Sequence, residues 1–382
     1  MTVQTNAHVQ DIGWMDWRSN GAVSGTTGKS KHLEAVELTL TGANASQYDI
    51  YYRVHSANYG WLDWAKNGQT AGTTGGDLQA EAIQIVIVNR GDPAPGSTET
   101  PYVLCNPNIQ LDTATINVSG LKRDYKFLFI SDTHIVNIAG NDSSESKAVA
   151  IPRYGLFTSR TGIHSAQLFP YYVQRANDNQ VDALLMGGDI IDYPSDANIT
   201  TLRNGLGKLN TSYLYTVGNH DWTYLWDKND ETTRQRYLPK LSEFTGGNSS
   251  FHTLEYDDLI VAALDDSAGQ FTKAAADGLE ACVQKGKPIV ILIHIPFANP
   301  ALNLASAQVW GSALTIGPGG IIPNGNSQRV LNMVTAPDSP IVAVLGAHLH
   351  FRYTNATGGK SVQMIGEASF LGRGILVTLH KQ

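Results

Sequence analysis

Five short apolar runs each end in residues able to hold metal ions or move protons. KFLFI leads into Ser131-Asp132-Thr133-His134, and ALLM into Gly187-Gly188-Asp189-Ile190-Ile191-Asp192. YLYTV leads into Gly218-Asn219-His220-Asp221, IVILI into His294, and IVAVL into Gly346-Ala347-His348-Leu349-His350. Each piece alone is weak, because a D-x-H triplet or a lone histidine such as His294 arises easily by chance. The ordered set of Asp, His and Asn behind apolar runs is more specific. Imidazole and carboxylate together suit Mn, Fe, Zn or Co. A carboxylate shared by two such ions would let them clamp an oxyanion and generate hydroxide near neutral pH.

The elements that must position these residues follow from the same stretch of chain. FLFI, ALLM, YLYT, IVILI and IVAVL are fully apolar, as strands covered on both faces are. Several are separated by stretches with helical spacing: SAQLFPYYVQRAND, NITTLRNGLGKL, ETTRQRYLPKLSEF and KAAADGLEACVQK. The expected fold is α/β or α+β, a layered domain with a mostly β core, a mixed sheet and flanking helices. Ligand sites of such sheets lie at the carboxyl ends of strands, which is where the polar groups fall.

This ordered set resembles the calcineurin-like metallophosphoesterase family, whose pattern is DxH, GDxxD, GNH with a following acid, a lone His and GHxH. The match spans about residues 122–380. Ala347 stands where the family usually has Gly, and the interval from Asp132 to Asp189 is long, with an insertion at about 137–165. The resemblance implies a first metal on Asp132, His134, Asp189 and His350. It implies a second on Asp189, Asn219, His294 and His348, with Asp189 as the bridge and a bridging hydroxide as nucleophile. It implies that His220 is catalytic, a general acid or electrostatic clamp facing the phosphoryl group. Asp192 and Asp221 would orient ligands or cap helices. The purple acid phosphatase branch carries a Tyr where this chain has Asp192, which argues against a purple centre. Arg153 and Arg160 in the insertion and Trp222 are further phosphate or leaving-group contacts to examine. The Gly-, Pro- and Asn-rich stretch 297–326 reads as a long loop, either shaping the substrate site or merely irregular surface.

Upstream, the chain repeats itself. GWMDWRSNGAVSGTTGKSKHLEAVEL (13–38) returns as GWLDWAKNGQTAGTTGGDLQAEAIQI (60–85), at an offset of 47 without gaps. Both LEAVELTL and AEAIQIVIV tend to alternate, as half-buried strands do, and GTTG is turn chemistry. These units resemble the ChW repeats, clostridial hydrophobic repeats with a conserved Trp, over roughly residues 8–90. That resemblance implies export and a surface-interaction role. Their four tryptophans are either core of a small β body or a platform for a cell-surface or glycan ligand. The domains are thus read as 1–90, two 47-residue repeats; 91–121, a linker and entry strand; and 122–382, the phosphoesterase domain.

Composition bounds the rest. The 382 residues are 42% hydrophobic and 16% charged, enough apolar content for a core. The net charge is −7, and neither the first 100 residues nor the remainder is basic, so a long nucleic acid is not the expected partner. The longest apolar run, 288–297, is too short to span a bilayer. Two cysteines exclude a disulfide-rich scaffold and any CxxC zinc site. They leave two free thiols or one Cys105–Cys282 bridge. No charged-then-apolar leader opens the chain. The expected location is secreted or cell-surface, with the cytoplasm as the alternative. The expected function is hydrolysis of a small phosphoester. The alternatives are a surface-binding protein on a phosphoesterase-like scaffold without turnover, and a cytosolic nucleotide phosphodiesterase.

Overall fold

The computed structural model describes residues 1–75, 78–105, 108–137, 144–160, 162–224, 227–228 and 230–382. The chain divides into two compact units, Met1–Asn108 with Ser159–Ile163, and Ile109–Thr158 with His164–Gln382.

The first unit holds the repeats. Its strands are β1 (Thr2–Val9), β2 (Gly13–Trp14), β3 (Arg18–Ser19), β4 (Leu33–Thr41), β5 (Tyr48–Ser56), β6 (Gly60–Trp61), β7 (Ala65–Lys66), β8 (Ala71–Thr74), β9 (Ala80–Asn89) and β10 (Tyr102–Leu104). β1 and β4 pair antiparallel in the first repeat, and β5 and β9 do so in the second. The sheets run β10-β8-β4-β1-β2, with β3 on β1, and β6-β5-β7, with β9 on β5. Val36 and Leu38 of β4 bury against Ile50, Tyr52 and Val54 of β5, together with Ala65 and Ala71. Each fully buried aliphatic side chain here contributes roughly 1.5–3 kcal/mol. Trp64 is core, whereas Trp17 and Trp61 are exposed, so the tryptophans divide between the two readings of the sequence. In the interval read as a linker, β10 is a strand of this unit, pairing parallel with β8.

The second unit contains β11 (Gln110–Val118), β12 (Tyr125–Ile130), β13 (Ala183–Met186), β14 (Ser212–Tyr215), β15 (Phe251–Glu255), β16 (Ile260–Leu264), β17 (Ile289–Leu292), β18 (Ile341–Gly346), β19 (Tyr353–Ala356), β20 (Val362–Ile365) and β21 (Arg373–Lys381). Its helices are α1 (Ser144–Tyr154), α2 (Ser165–Asp178), α3 (Asp196–Leu206), α4 (Glu231–Tyr237), α5 (Lys273–Gln284), α6 (Pro300–Trp310) and α7 (Gly325–Thr335). Two mixed sheets form, β11-β21-β12-β13-β14 and β15-β16-β17-β18-β20-β19. Their inner faces share one core. Phe127 and Phe129 of β12 and Leu185 of β13 meet Val261 of β16, Val290 and Leu292 of β17, and Leu345 of β18. The alternate residues Ile260, Ile289 and Ile291 face a second core with Leu279 of α5 and Val330 and Val334 of α7. Both faces of these strands are covered, which is why their sequences are apolar without alternation.

The segment 297–326, read as a loop, contains α6. Asn299 caps it by accepting from the Ala301 N–H at 3.1 Å, Pro300 opens it, and Gly311 closes it in the left-handed conformation. Cys105 and Cys282 are both free thiols. Among the described residues, no helix is long and apolar enough to cross a membrane.

Candidate metal centre

All seven side chains singled out as ligands lie just past the ends of β12, β13, β14, β17 and β18. The backbone there is bent sharply. Asp132, His134, Asp189, His348 and His350 all have φ between 46° and 70°. Side chains other than Gly, Asn and Asp rarely adopt such angles, and each costs about 1–3 kcal/mol unless its surroundings hold it. They are held by crossed backbone bonds: the Asp132 N–H donates to the Gly188 carbonyl, and the His134 N–H to the Asp189 carbonyl, both at 2.9 Å. The His348 N–H donates to the Asp132 carboxylate at 3.1 Å. Gly218 has no room for a side chain, since a Cβ would stand 2.2 Å from Asp189 Oδ1.

The polar atoms converge in two groups that share Asp189. In one, His134 Nε2 lies 3.2 Å from His350 Nε2 and 3.9 Å from Asp189 Oδ2, while His350 Nε2 lies 3.5 Å from Asp132 Oδ1. In the other, His294 Nε2 lies 3.2 Å from Asp189 Oδ2, 3.2 Å from Asn219 Oδ1 and 3.1 Å from His348 Nδ1. The far nitrogens are committed elsewhere. His294 Nδ1–H donates to the Gly187 carbonyl at 2.9 Å, and His134 Nδ1 bonds Asp192 Oδ1 at 3.1 Å. Imidazole nitrogens and carboxylate oxygens thus converge within a few ångströms of one another, and although burial would lower His294, the Asp189 carboxylate outweighs it and holds that imidazole up at about 10. Three groups of these side chains could each hold a metal ion, and the oxygen and nitrogen donors suit Mn, Fe, Zn or Co. His134, Asp189 and His220 make a further cluster whose ligand atoms lie within 4.8 Å of one another.

Burial and charge act in opposite directions on these groups. Burial pushes Asp132 up to about 6, His348 down to about 3 and His350 down to about 4. The two histidines are thereby kept as neutral imidazoles, the form that binds metal. For His220, burial alone would lower the pKa. The Asp189 and Asp192 carboxylates outweigh it and hold the imidazole up at about 9. Burial would likewise raise Asp192, but Arg153, His134 and His220 hold it far below the ordinary carboxylate range.

Around the ligands sits a supporting layer. Among the described residues, Asp221 caps no helix. It accepts from the backbone N–H groups of Asp189, Ile191 and Gly218 at 2.9, 3.0 and 2.7 Å, tying the β13 and β14 ends together. His220 Nδ1 lies 3.2 Å from Asp192 Oδ1, and its side chain is 28% exposed. Arg153 grips Asp192 through Nε and through Nη2, the latter at 2.6 Å. Its guanidinium is thus spent on a carboxylate, which corrects the reading of Arg153 as a phosphate contact. Trp222 is also corrected: it is fully buried, and its indole N–H donates to Ser267 Oγ at 2.9 Å. Arg160 falls in the short segment grouped with the repeat unit.

A calcineurin-like phosphoesterase family model matches residues 125–351, more than half of the chain. The chain belongs to the calcineurin-like phosphoesterase family. It is a metallophosphoesterase, and its clustered His and Asp side chains bind divalent metal. A second family model, clostridial hydrophobic W, matches residues 8–42 and 55–89. Among solved structures, a dimetal phosphatase from Danio rerio is 14% identical, with 64% of this chain and 88% of that one covered and a TM-score of 0.41. A purple acid phosphatase from yellow lupin (Lupinus luteus) is 11% identical, with 94% and 67% covered and a TM-score of 0.41. A 5'-nucleotidase from Candida albicans is 14% identical, with 68% and 47% covered and a TM-score of 0.34. Comparison with curated proteins gives no match.

Sequence reasoning missed three features of this phosphoesterase site. Asp266 accepts from the His294 and Ile295 N–H groups, both at 3.0 Å, and so sets the β17 end. It follows the apolar run IVAAL, so the strand-end pattern already pointed to it. Phe157 stacks on His134 with ring centroids 4.3 Å apart, and Trp310 meets His350 edge-on at 5.3 Å. Neither aromatic carried a local signal.

Proposed function

We propose that the chain hydrolyses small phosphoesters at a two-cation centre. Asp132, His134, Asp189 and His350 hold one ion, and Asp189, Asn219, His294 and His348 the other. When bound, the cations supply charge for the phosphoryl oxygens and a water of lowered pKa. The carrying observation is the convergence of ligand atoms from five strand ends around one shared carboxylate, Asp189.

The chain's own groups do the rest. His220, anchored by Nδ1 on Asp192, gives a proton from its other nitrogen to the departing oxygen. Such proton donation contributes roughly 10²- to 10⁴-fold. Asp192 fixes that ring and the His134 ring together, and Arg153 fixes Asp192. Phe157 and Trp310 wall the ligand histidines with apolar surface, which limits water at the reacting atoms. The ligand set is intact, which favours turnover over a scaffold role.

The repeats serve as a surface-interaction module of an exported or surface-held enzyme. That part rests on the likeness of residues 8–89 to ChW repeats, and fractionation of the producing cells tests it. For the catalytic part, the chain is reconstituted separately with Mn, Fe, Zn and Co and offered p-nitrophenyl phosphate and its bis ester. Hydrolysis by at least one metal form is expected. Tight metal binding with no turnover of any phosphoester would leave only the scaffold role.

A further inference from the structure

The two repeats differ in what covers their second long strand. Offset by 47, β4 corresponds to β9, β1 to β5, and β8 (Ala71–Thr74) to residues 24–27, Ser-Gly-Thr-Thr. The local geometry repeats closely. His8 Nδ1 lies 2.9 Å from Glu34 and its ring meets Trp14 at 5.3 Å; His55 Nδ1 lies 2.9 Å from Glu81 and its ring meets Trp61 at 5.3 Å.

In the first repeat, the outer edge of β4 is taken by β8 of the second, with Ala35 opposite Gly72 and Val36 opposite Ala71. Its apolar face is closed, with Val36 and Leu38 each 3% exposed. The same edge of β9 has no such strand: among the described residues, β9 pairs with β5 alone. Its matching face is open, with Ile83, Ile85 and Ile87 exposed to 40, 49 and 41%. An unpaired strand edge beside exposed isoleucines is a template for another strand.

The segment that fits lies in the first repeat, at the positions that match β8. Gly72 must be glycine, because a Cβ would stand 2.4 Å from the Glu34 carbonyl oxygen where β8 crosses β4. Gly25 has nearly the same φ, +124° against +118°, yet a Cβ there would meet nothing within 4 Å. Residues 24–27 form no strand within the chain, yet Gly25 keeps the backbone angle of the paired glycine without the neighbour that demands it. Beside them Val23 is exposed.

We propose that this surface is a self-association site, in which residues 24–27 of one copy pair antiparallel with β9 of another. Gly25 then faces Ala82 as Gly72 faces Ala35, and the isoleucine face is covered by the arriving repeat. The occupant is a second copy because the intramolecular β8–β4 joint supplies both halves of the contact. Donor and acceptor surfaces differ, so the contact is heterologous and can extend beyond a pair.

The test is sedimentation velocity of the full chain over a wide range of concentration, with Ile85→Glu and Gly25→Val as variants. The wild type is expected to gain mass as concentration rises, and each variant to lose that gain. Mixing the two variants is expected to restore pairs and nothing larger, because one keeps its donor strand and the other its acceptor. Phosphoester hydrolysis and circular dichroism report that each variant is folded. A wild type that stays monomeric at every concentration overturns the proposal and leaves the β9 edge to a different repeat-bearing chain. Association untouched by either variant also overturns it.

Discussion

In the repeat unit, left-handed backbone outside glycine falls on Asp11, Asn20, Ser30, Asn44, Asn58, Asn67 and Asn108. In the phosphoesterase unit it falls on Asp132, His134, Asp189, His348 and His350, with Gln180. The first set is turn chemistry, residues whose short polar side chains tolerate that conformation. The second set is mostly residues of the candidate metal centre, including three histidines that gain nothing locally from it. One unit bends where bending is cheap. The other bends where its chemistry requires, and holds the bend with bonds crossing from strand to strand. If that distinction is right, perturbing a bent residue in the phosphoesterase unit should disturb chemistry, and perturbing one in the repeats should disturb only local stability.

The largest expected effect is at Asp189, the one carboxylate common to both ligand groups. Asp189→Ala is expected to bring metal content close to zero at both positions. Turnover should fall by roughly a thousandfold or more, since the charge stabilisation the metals supply is worth several kcal/mol. Elemental analysis beside initial rates measures it. Retention of two ions per chain would break the assignment of Asp189 as the bridge.

His220→Ala separates proton delivery from metal holding. Metal content is expected to stay at the wild-type level while turnover falls roughly 10²- to 10⁴-fold on alkyl esters. The loss should shrink for p-nitrophenyl phosphate, whose leaving group needs little help from an acid. Equal losses on both ester types would remove the acid role. A large loss of metal would instead make His220 a ligand, as its grouping with His134 and Asp189 permits.

Much of this centre was legible because strand and ligand adjoin in sequence. Asp132, Asp189, Asn219, His294 and His348 each come within a few residues of an apolar run, and ligand sites of such sheets lie at the carboxyl ends of strands. What was not legible depended on pairing across distance. The Gly-Thr-Thr of the second repeat reads as a turn, yet Ala71–Thr74 is a strand because β4 lies alongside it. The same letters at 25–27 meet no such neighbour and form no strand. Arg153 is a candidate phosphate contact in the sequence because it stands with Arg160 in the insertion between two ligand motifs. Its actual partner, Asp192, lies 39 positions away. That β21 inserts between β11 and β12 is likewise a fact of three-dimensional packing.

Asp192→Asn sharpens the contrast at intermediate scale. The substitution keeps the shape and removes the charge that Arg153, His134 and His220 share. Removing a partner that orients a metal-binding histidine typically lowers metal affinity or activity about 10- to 100-fold. Titration of metal into the apo chain, with rates at saturating metal, separates the two contributions. The affinity loss is expected to follow His134, and the rate loss at saturation to follow His220. A variant unchanged in both would mean that the ligand histidines are held by packing alone, through Phe157 and its neighbours.

The smallest effect belongs to the repeats. Asn58 has φ 67° in an exposed turn where the Tyr59 N–H donates to the Ser56 carbonyl at 3.1 Å. Alanine there loses the polar side chain that tolerates left-handed backbone, at a cost of about 1 kcal/mol. Glycine tolerates the angle freely, so Asn58→Gly should stay within a few tenths of wild type, its gain in backbone ease offset by entropy in the unfolded chain. Chemical denaturation followed by tryptophan fluorescence ranks the three proteins, and phosphoester hydrolysis should be the same for all of them. The opposite pattern, a stable Asn58→Ala with impaired hydrolysis, would show that repeat turns are tied to the chemistry. The distinction between cheap bends and enforced bends would then no longer divide this molecule.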